Sequence, residues 1–555
     1  MKNSLLVASI IMAIFVSGSV ARDDWPNWRG GQHDGISRET LWRANGVEKP
    51  VWKASVGLGY SCVAISDGRL FTLGFDEQSS VDVVYCLDKE TGKKLWTQEF
   101  PARRWNKFHA GGTNSTPVVH EGRVYTFNRD GMFHCFEAKT GNILWSKDVK
   151  RQYELRLPTW GFASSPLVIN DRVFLNADRV LAFHSKTGDL VWKSKPGGAG
   201  YSTPVFFDKL GDPALAVMNA GGLFVLRVSD GSKLTTLEWN TQEDVNAATP
   251  VIVEGCLFIS SGYDRGAALI GFDEGKSQVV WENKGMRNKM ATSVLWNKHL
   301  YGFDESVLKC MDLKGNEKWR KPRLGPGALT ASDGKLIVMT SKGDLTIVKA
   351  TPDRFQELSR THLFNNGQNW TMPVLSDGLI YCRNSNGELV CQNHRLSSVG
   401  EKQESGLATK SLKRKSLLPI NHGVPDEAIE NYWKKGSPPP DSGEFMRIAN
   451  KVGVAEAVAV FRAVRKEHQD YLPFDFKQWR DVGWYQLSQG KKRDAVLASQ
   501  LLVDAFPKKA DSYRRLADAM VAIGEDDQAV KFLEHCLQLD PDHRHAQSLL
   551  KQLKD

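Results

Sequence analysis

A mainly β chain, an eight-bladed β-propeller followed by a small all-α array, is the fold class that the sequence predicts. Three observations predict it. A motif ending in Thr-Gly-x-x-x-Trp returns at intervals of 38 to 49 residues. A Ser/Thr-Pro landmark stands upstream of each copy and opens a strand, a polar or Gly turn and another strand. Beyond residue 441 the apolar spacing changes to three and four residues, the period of a helix.

The 555 residues exceed one ordinary domain, and with 41% hydrophobic and 25% charged residues they exclude a disordered or fibrous chain. The formal net charge of +9 is modest at this length and does not diagnose nucleic-acid binding. Residues 1–21, MKNSLLVASIIMAIFVSGSVA, carry Lys2, an apolar stretch from Leu5 to Val16 and the small Ser19-Val20-Ala21. This is the pattern of a cleaved export signal, and it predicts a periplasmic or extracellular protein with no integral membrane segment after cleavage. The eight cysteines include no CxxC and no adjacent pair, so they are not a disulfide framework. In the strand pair around Asn386-Gly387, a two-residue turn would set Cys382 opposite Cys391, where a disulfide or two buried thiols could stand.

The propeller occupies residues 22–394, including an N-terminal leader. Its motif reads Cys86-Leu-Asp-Lys-Glu-Thr-Gly92-Lys-Lys-Leu-Trp96, then Cys135 to Trp145, then Ala182 to Trp192, with weaker copies ending at Trp239, Trp281 and Trp319. The landmarks are Ser115-Thr116-Pro117, Ser164-Ser165-Pro166, Ser202-Thr203-Pro204, Ala248-Thr249-Pro250 and Met372-Pro373. Each unit reads as four short strands, with Gly supplying the positive φ of the turn and Trp packing between units. That spacing is too short for βαβ alternation and suits radial blades. Eight units are counted, their first strands starting near Ser61, Thr116, Ser165, Thr203, Thr249, Ser293, Thr330 and Met372. The last lacks an outer strand, which residues 49–53 could supply to close the ring; seven blades with an irregular eighth is the other count.

With these repeats stated, residues 24–394 resemble the propeller family named for pyrroloquinoline quinone repeats, through the Asp/Glu-x-x-Thr-Gly-x-x-x-Trp pattern and the Trp25-Pro-Asn-Trp-Arg-Gly-Gly leader. The resemblance implies one of two roles. The dehydrogenases of the family hold the quinone and Ca²⁺ over the axis, with a vicinal Cys-Cys pair, a Trp beneath the quinone and an Asp base. The non-enzymatic, assembly-factor-like branch uses the blades for protein contacts. The chain lacks a Cys-Cys pair and an Asp-x-Asp-x-Asp run, so the second branch is expected, with no cofactor and no catalytic or metal-binding residue.

Residues just before the inner strands should face the central funnel. They are Arg103, Arg104, Trp105, Lys107, His109 and Asn114, then Trp160, Tyr201, Asn246, Lys289, Asn369 and Trp370. Cations and aromatics together could take a polymer, a peptide or an anion; a solvated loop set with no ligand is the plainer alternative. The isolated histidines lack metal spacing, there is no Gly-x-Ser-x-Gly elbow, and Gly197-Gly198-Ala199-Gly200 does not lead into a helix.

Residues 395–441 read as a polar, basic linker; up to Pro440 they carry eight Lys/Arg against five Asp/Glu. In 442–555, Ala457, Val458, Val460, Phe461 and Val464 mark a helical face. A 34-residue repeat follows: Trp479 matches Tyr513, Gly490 matches Gly524, Ala495 matches Ala529, and Phe506-Pro507 matches Asp540-Pro541. This resembles the tetratricopeptide repeat, in about three hairpins, and implies a groove for a peptide or partner helix. The combined expectation is an exported scaffold or binding protein for protein or polymer partners, a cell-wall or sugar polymer among them, and not for nucleic acid. The alternative is a quinone-dependent dehydrogenase with calcium.

Overall fold

A computed structural model describes residues 24–396 and 429–554, apart from 41, 107–108, 199, 208–212, 274 and 489–490. The export signal, most of the linker, Lys107 and Gly490 lie outside the described residues. Contacts divide the chain after Leu396 into two compact units.

The first unit is an eight-bladed propeller: eight four-stranded antiparallel sheets. Seven blades use four consecutive strands. The eighth takes its outer strand, Trp52–Ser55, from the N-terminal side of the chain, with Trp52 opposite Cys391 and Ser55 opposite Glu388. This closes the ring and leaves no unpaired radial seam.

The repeated motif works as an interblade lock. In the first copy the Asp88 carboxylate accepts from the N–H of Thr91 at 2.8 Å and from its hydroxyl at 2.7 Å, which shapes the turn ahead of Gly92 at φ +69°. The missing Cβ of that Gly is where the preceding blade's Trp lies: a Cβ on Gly92 would stand 2.6 Å from Trp52, one on Gly141 2.6 Å from Trp96, and one on Gly188 2.8 Å from Trp145. Each indole N–H then donates to the carbonyl three residues before that Gly: Trp52 to Lys89, Trp96 to Ala138, Trp145 to Ser185, Trp192 to Val228. In seven blades the outer pair carries a register shift next to this turn, as between Cys86 and Leu87 or Cys135 and Phe136. Such a bulge adds twist and re-aims the outer strand, here toward the next blade.

Hydroxyls just before the inner strands, three of them from the Pro landmarks, form a second lock nearer the axis. Cys62 N–H donates to Thr116 Oγ1, Thr116 N–H to Ser165 Oγ, Ser165 N–H to Thr203 Oγ1, and Thr249 N–H to Thr292 Oγ1, at 2.9 to 3.1 Å. Hydroxyl acceptors thus satisfy buried amides that have no strand partner on the inner edge.

Two expectations need correction. Trp239 is not a docking Trp: its place four residues after Gly231 is taken by Thr235, whose hydroxyl bonds Ser277 Oγ at 3.0 Å. Trp239 lies beyond that strand, fully buried, donating to Ser261 Oγ with Arg265 3.4 Å above its ring. Cys382 and Cys391 do not face each other either. The strands pair up to Arg383 and Leu389, so Cys382 pairs with Val390 and Cys391 with Tyr381, and the two thiols alternate to opposite faces as free cysteines.

The leader fastens the ring from one face. Trp25 bridges Ile65, the Pro26 carbonyl accepts from Val119, Trp28 donates to Thr249, Arg29 to the Ser293 carbonyl, Ser37 pairs with Ala331, and Glu39 accepts from Gly378 N–H. These partners belong to six different blades, so this short stretch passes across the axis.

The second unit is mainly α-helical. Helices Val454–Glu467, Phe476–Ser488, Lys492–Ala505, Ala510–Ile523, Asp526–Leu539 and Arg544–Lys554 follow a short Ser442–Arg447 helix. Its aromatic core gathers Phe445, Phe461, Phe474 and Trp479, the last donating its indole N–H to the Ala498 carbonyl at 2.9 Å. Ala495 and Ala529 are buried between paired helices, where small side chains let the backbones approach. No helix of the described residues is long and apolar enough to cross a membrane.

Candidate functional site: an aromatic cup on the propeller axis

The loops entering the inner strands surround a cavity of about 320 Å³. Blades one, three, four, five and eight contribute Tyr60, Trp160, Tyr201, Tyr263 and Trp370, and the leader contributes Trp28. The rings brace one another: Tyr60 stacks on Trp370 with centroids 5.2 Å apart, and Trp160 meets Tyr201 edge-on at 5.9 Å. Trp28 is pinned by its bond to Thr249 Oγ1 at 3.2 Å, so the leader closes the cavity from its side of the ring. The result is a blind cup with flat apolar walls.

Polar groups are few. His109 Nδ1 accepts the Gly111 N–H at 2.9 Å, which leaves Nε2 as the protonated nitrogen of the neutral ring. Burial, with Arg129 behind it, holds the His109 pKa below the ordinary value. Asn114 donates to the Trp160 carbonyl at 3.2 Å. Lys289 comes from blade six, across the ring from His109, with its ammonium 4.6 Å from the Tyr263 centroid. Ser165, Thr203 and Thr249 add hydroxyls that already accept backbone or indole N–H groups and keep their own O–H to give. Among the described residues, no carboxylate lines the cup.

Of the residues expected at the funnel, His109, Asn114, Trp160, Tyr201, Lys289 and Trp370 are brought together in this lining. Arg103, Arg104 and Trp105 stay outside it on the exposed rim, with Arg104 paired to Glu77 and Trp105 donating to the Thr159 carbonyl at 2.7 Å. Asn246 and Asn369 turn away from the opening: Asn246 is buried, donating to the Asn219 and Trp239 carbonyls, and Asn369 donates to the Ser341 carbonyl. They are scaffold. Residues missed by the sequence reading are Trp28, Tyr60 and Tyr263. Tyr60 carries the same signal as the others, since it stands just before an inner strand. Trp28 carries none, because its partner lies 221 residues away.

The sequence matches a family described as outer membrane protein assembly factor BamB over residues 33–111 and 82–321. Joined, these run from 33 to 321, that is 289 of the 555 residues. The chain belongs to this family of propellers. No curated protein matches it. Among solved structures, BamB from Moraxella catarrhalis is 13% identical with a TM-score of 0.47, over 62% of this chain and 100% of its own. A quinohemoprotein alcohol dehydrogenase from Comamonas testosteroni is 11% identical with a TM-score of 0.53, over 70% and 83%. Another, ADHIIG from Pseudomonas putida HK5, is 13% identical with a TM-score of 0.51, over 74% and 84%. At these identities the likeness to the dehydrogenases is one of fold.

A quinone and a calcium ion can be tested against the cup. Its walls fit a flat ring. They do not fit a hard cation, which takes six to eight oxygens, several of them carboxylate. The lining offers none, and among the described residues no group of three or more His, Cys, Asp or Glu is placed to hold a metal.

Proposed function

We propose that this is an exported binding protein, not an enzyme, whose propeller cup receives a ring-bearing segment of a polymer while the helical array, read as tetratricopeptide-like, offers a groove to a protein partner. The observation that carries the reading is the cup itself: aromatic rings on five blades and the leader, few polar groups and, among the described residues, no carboxylate. Sugar rings present apolar C–H faces that pack on Trp and Tyr, and their hydroxyls use the scattered N–H and O–H donors of such a wall. The assembly-factor-like branch of the family supports a binding role for the surface, and the export pattern of residues 1–21 supports a location where cell-wall polymer is met.

A second reading, quinone-dependent oxidation, draws on the axial position of the cup and on the flat walls that suit a planar ring. It lacks a cation site, and no reaction step is derived from it. Titration of the mature protein with pyrroloquinoline quinone, with and without Ca²⁺, and with neutral and acidic oligosaccharides separates the two, followed by tryptophan fluorescence and calorimetry. Saturable oligosaccharide binding that Trp370→Ala abolishes is expected. One-to-one, Ca²⁺-dependent quinone binding with an altered quinone spectrum would overturn the proposal in favour of the second reading.

A further inference from the structure

Among the described residues, the carboxylates near the cup stand outside its lining: Glu305 beside Lys289, Asp244 near Tyr201, and Asp82 and Asp130 near Arg129. Among the described residues Lys289 is the charged side chain of the lining, and its ammonium rests over the Tyr263 ring, 4.6 Å from the centroid. The neighbouring acid is Glu305: its Oε1 and the Lys289 Cβ come within 3.1 and 2.9 Å of where a Cβ on Gly262 would stand. Its Oε1 accepts the Tyr263 N–H at 2.8 Å, so that carboxylate is engaged with the backbone. The other acids of this sector, Asp264 and Asp304, are taken up by Lys284, Arg287 and Lys309.

On the opposite wall, Arg129 lies behind His109 and is 2% exposed, and its three guanidinium nitrogens have no hydrogen-bond partner. Its nearby acids are Asp130, 3.8 Å from Nε, and the buried Asp82, one of whose oxygens is also unbonded. A half-buried ammonium held only by a ring face keeps most of its capacity for an anion, since a cation–π contact is weaker than a charge-assisted hydrogen bond.

Resting on the reading of the cup as a polymer site, we infer that the ligand is an acidic glycan: a sugar stacked on the aromatic wall whose ring-borne carboxylate is seated at Lys289, with His109 Nε2–H meeting a hydroxyl across the cup. A neutral glycan would leave the Lys289 ammonium desolvated and unmatched beneath it. A cationic or metal-bound ligand would meet Lys289 with the wrong sign.

The test is calorimetric titration of the full-length mature protein with trigalacturonate and with galactotriose, at low and high salt, in wild type, Lys289→Met and Lys289→Arg. Trigalacturonate is expected to bind about tenfold or more tightly than galactotriose. Lys289→Met should remove that preference, Lys289→Arg should keep most of it, and salt should weaken the acidic sugar alone. Equal affinity for the two sugars overturns the acidic assignment and leaves the cup reading standing. Binding of neither sugar removes the cup reading and this inference with it. A preference for trigalacturonate that survives Lys289→Met moves the anion site elsewhere and refutes the assignment. An unchanged unfolding midpoint of each variant shows that the losses are local.

Discussion

Replacing Gly141 by Ala should cost the propeller more than replacing Gly122, although both glycines sit at nearly the same backbone angle, φ +78° and +72°. Ala in the left-handed region carries about 1–2 kcal/mol of strain wherever it stands. At Gly122 nothing lies within 4 Å of the new Cβ, so that strain is the whole effect. At Gly141 the Cβ would stand 2.6 Å from Trp96 Cδ2 and 2.8 Å from Cε3, below any real contact. Trp96 cannot withdraw without giving up its 3.1 Å bond to the Ala138 carbonyl, and overpacking of this kind costs about 1–3 kcal/mol. Gly122→Ala is therefore expected to lose about 1–2 kcal/mol and Gly141→Ala about 2–5 kcal/mol. Urea unfolding of the full-length protein, read as midpoint shifts at constant slope, measures both. Trp96→Ala combined with Gly141→Ala should show coupling, because it removes the atoms that clash. Equal losses at the two glycines, or strictly additive losses with Trp96→Ala, would refute the idea that the Thr-Gly turn is a socket for the neighbouring Trp.

Three further outcomes follow from the same structure. Trp52→Ala should destabilise the ring by about 3–5 kcal/mol and expose the seam of the eighth blade to protease, because it removes a buried indole bonded to Lys89 in the strand that closes the circle. Burial pushes the Asp82 carboxyl up from 3.8 to about 6, so its contribution is full below pH 4 and lost as pH rises through 6; relative to wild type, Asp82→Asn should hold up to about 3 kcal/mol more of its acid-side stability at pH 7, measured by unfolding across pH 4–7. Ala498→Leu should cost the helical unit about 1–3 kcal/mol by midpoint shift, since its Cβ already lies 3.2 Å from where a Cβ on Gly483 would stand.

What was legible in the sequence is what short-range chemistry fixes. The Asp-x-x-Thr-Gly-x-x-x-Trp string is one turn, one bulge and one anchor, so its recurrence shows blades without any knowledge of distant contacts. Ring closure was legible too, because a missing outer strand in the last unit and a spare strand before the first are complementary. The errors have physical causes. Trp239 was aligned as an anchor by residue type, whereas counting from Gly231 selects Thr235, which docks through a hydroxyl. A two-residue turn would set Cys382 opposite Cys391, but the last pair is Arg383–Leu389 with five residues between them, which shifts the register by one. Asn246 and Asn369 stand in the segments that face the funnel, but their amides turn back to cap orphan carbonyls, which position alone does not reveal. Trp28 joins the cup only because the whole ring has closed around the leader.

That last residue changes what the propeller can do. An eight-bladed ring leaves an axial passage, and a passage open at both ends can thread a chain but holds a small group poorly, since water and ligand leave on either side. Here a leader touching six blades crosses the axis, and its Trp28 forms part of the cavity wall. Entry and exit then share one mouth, rimmed by the exposed Arg103, Arg104 and Trp105. A cup of about 320 Å³ holds one or two sugar rings, not a polymer. On the proposed reading the cup would take an end or a protruding branch, and the remainder of the polymer would lie across the rim, where exposed ion pairs with the arginines add little. Salt separates the contributions: screening weakens the exposed rim arginines more than the half-buried Lys289 and leaves the aromatic contacts untouched.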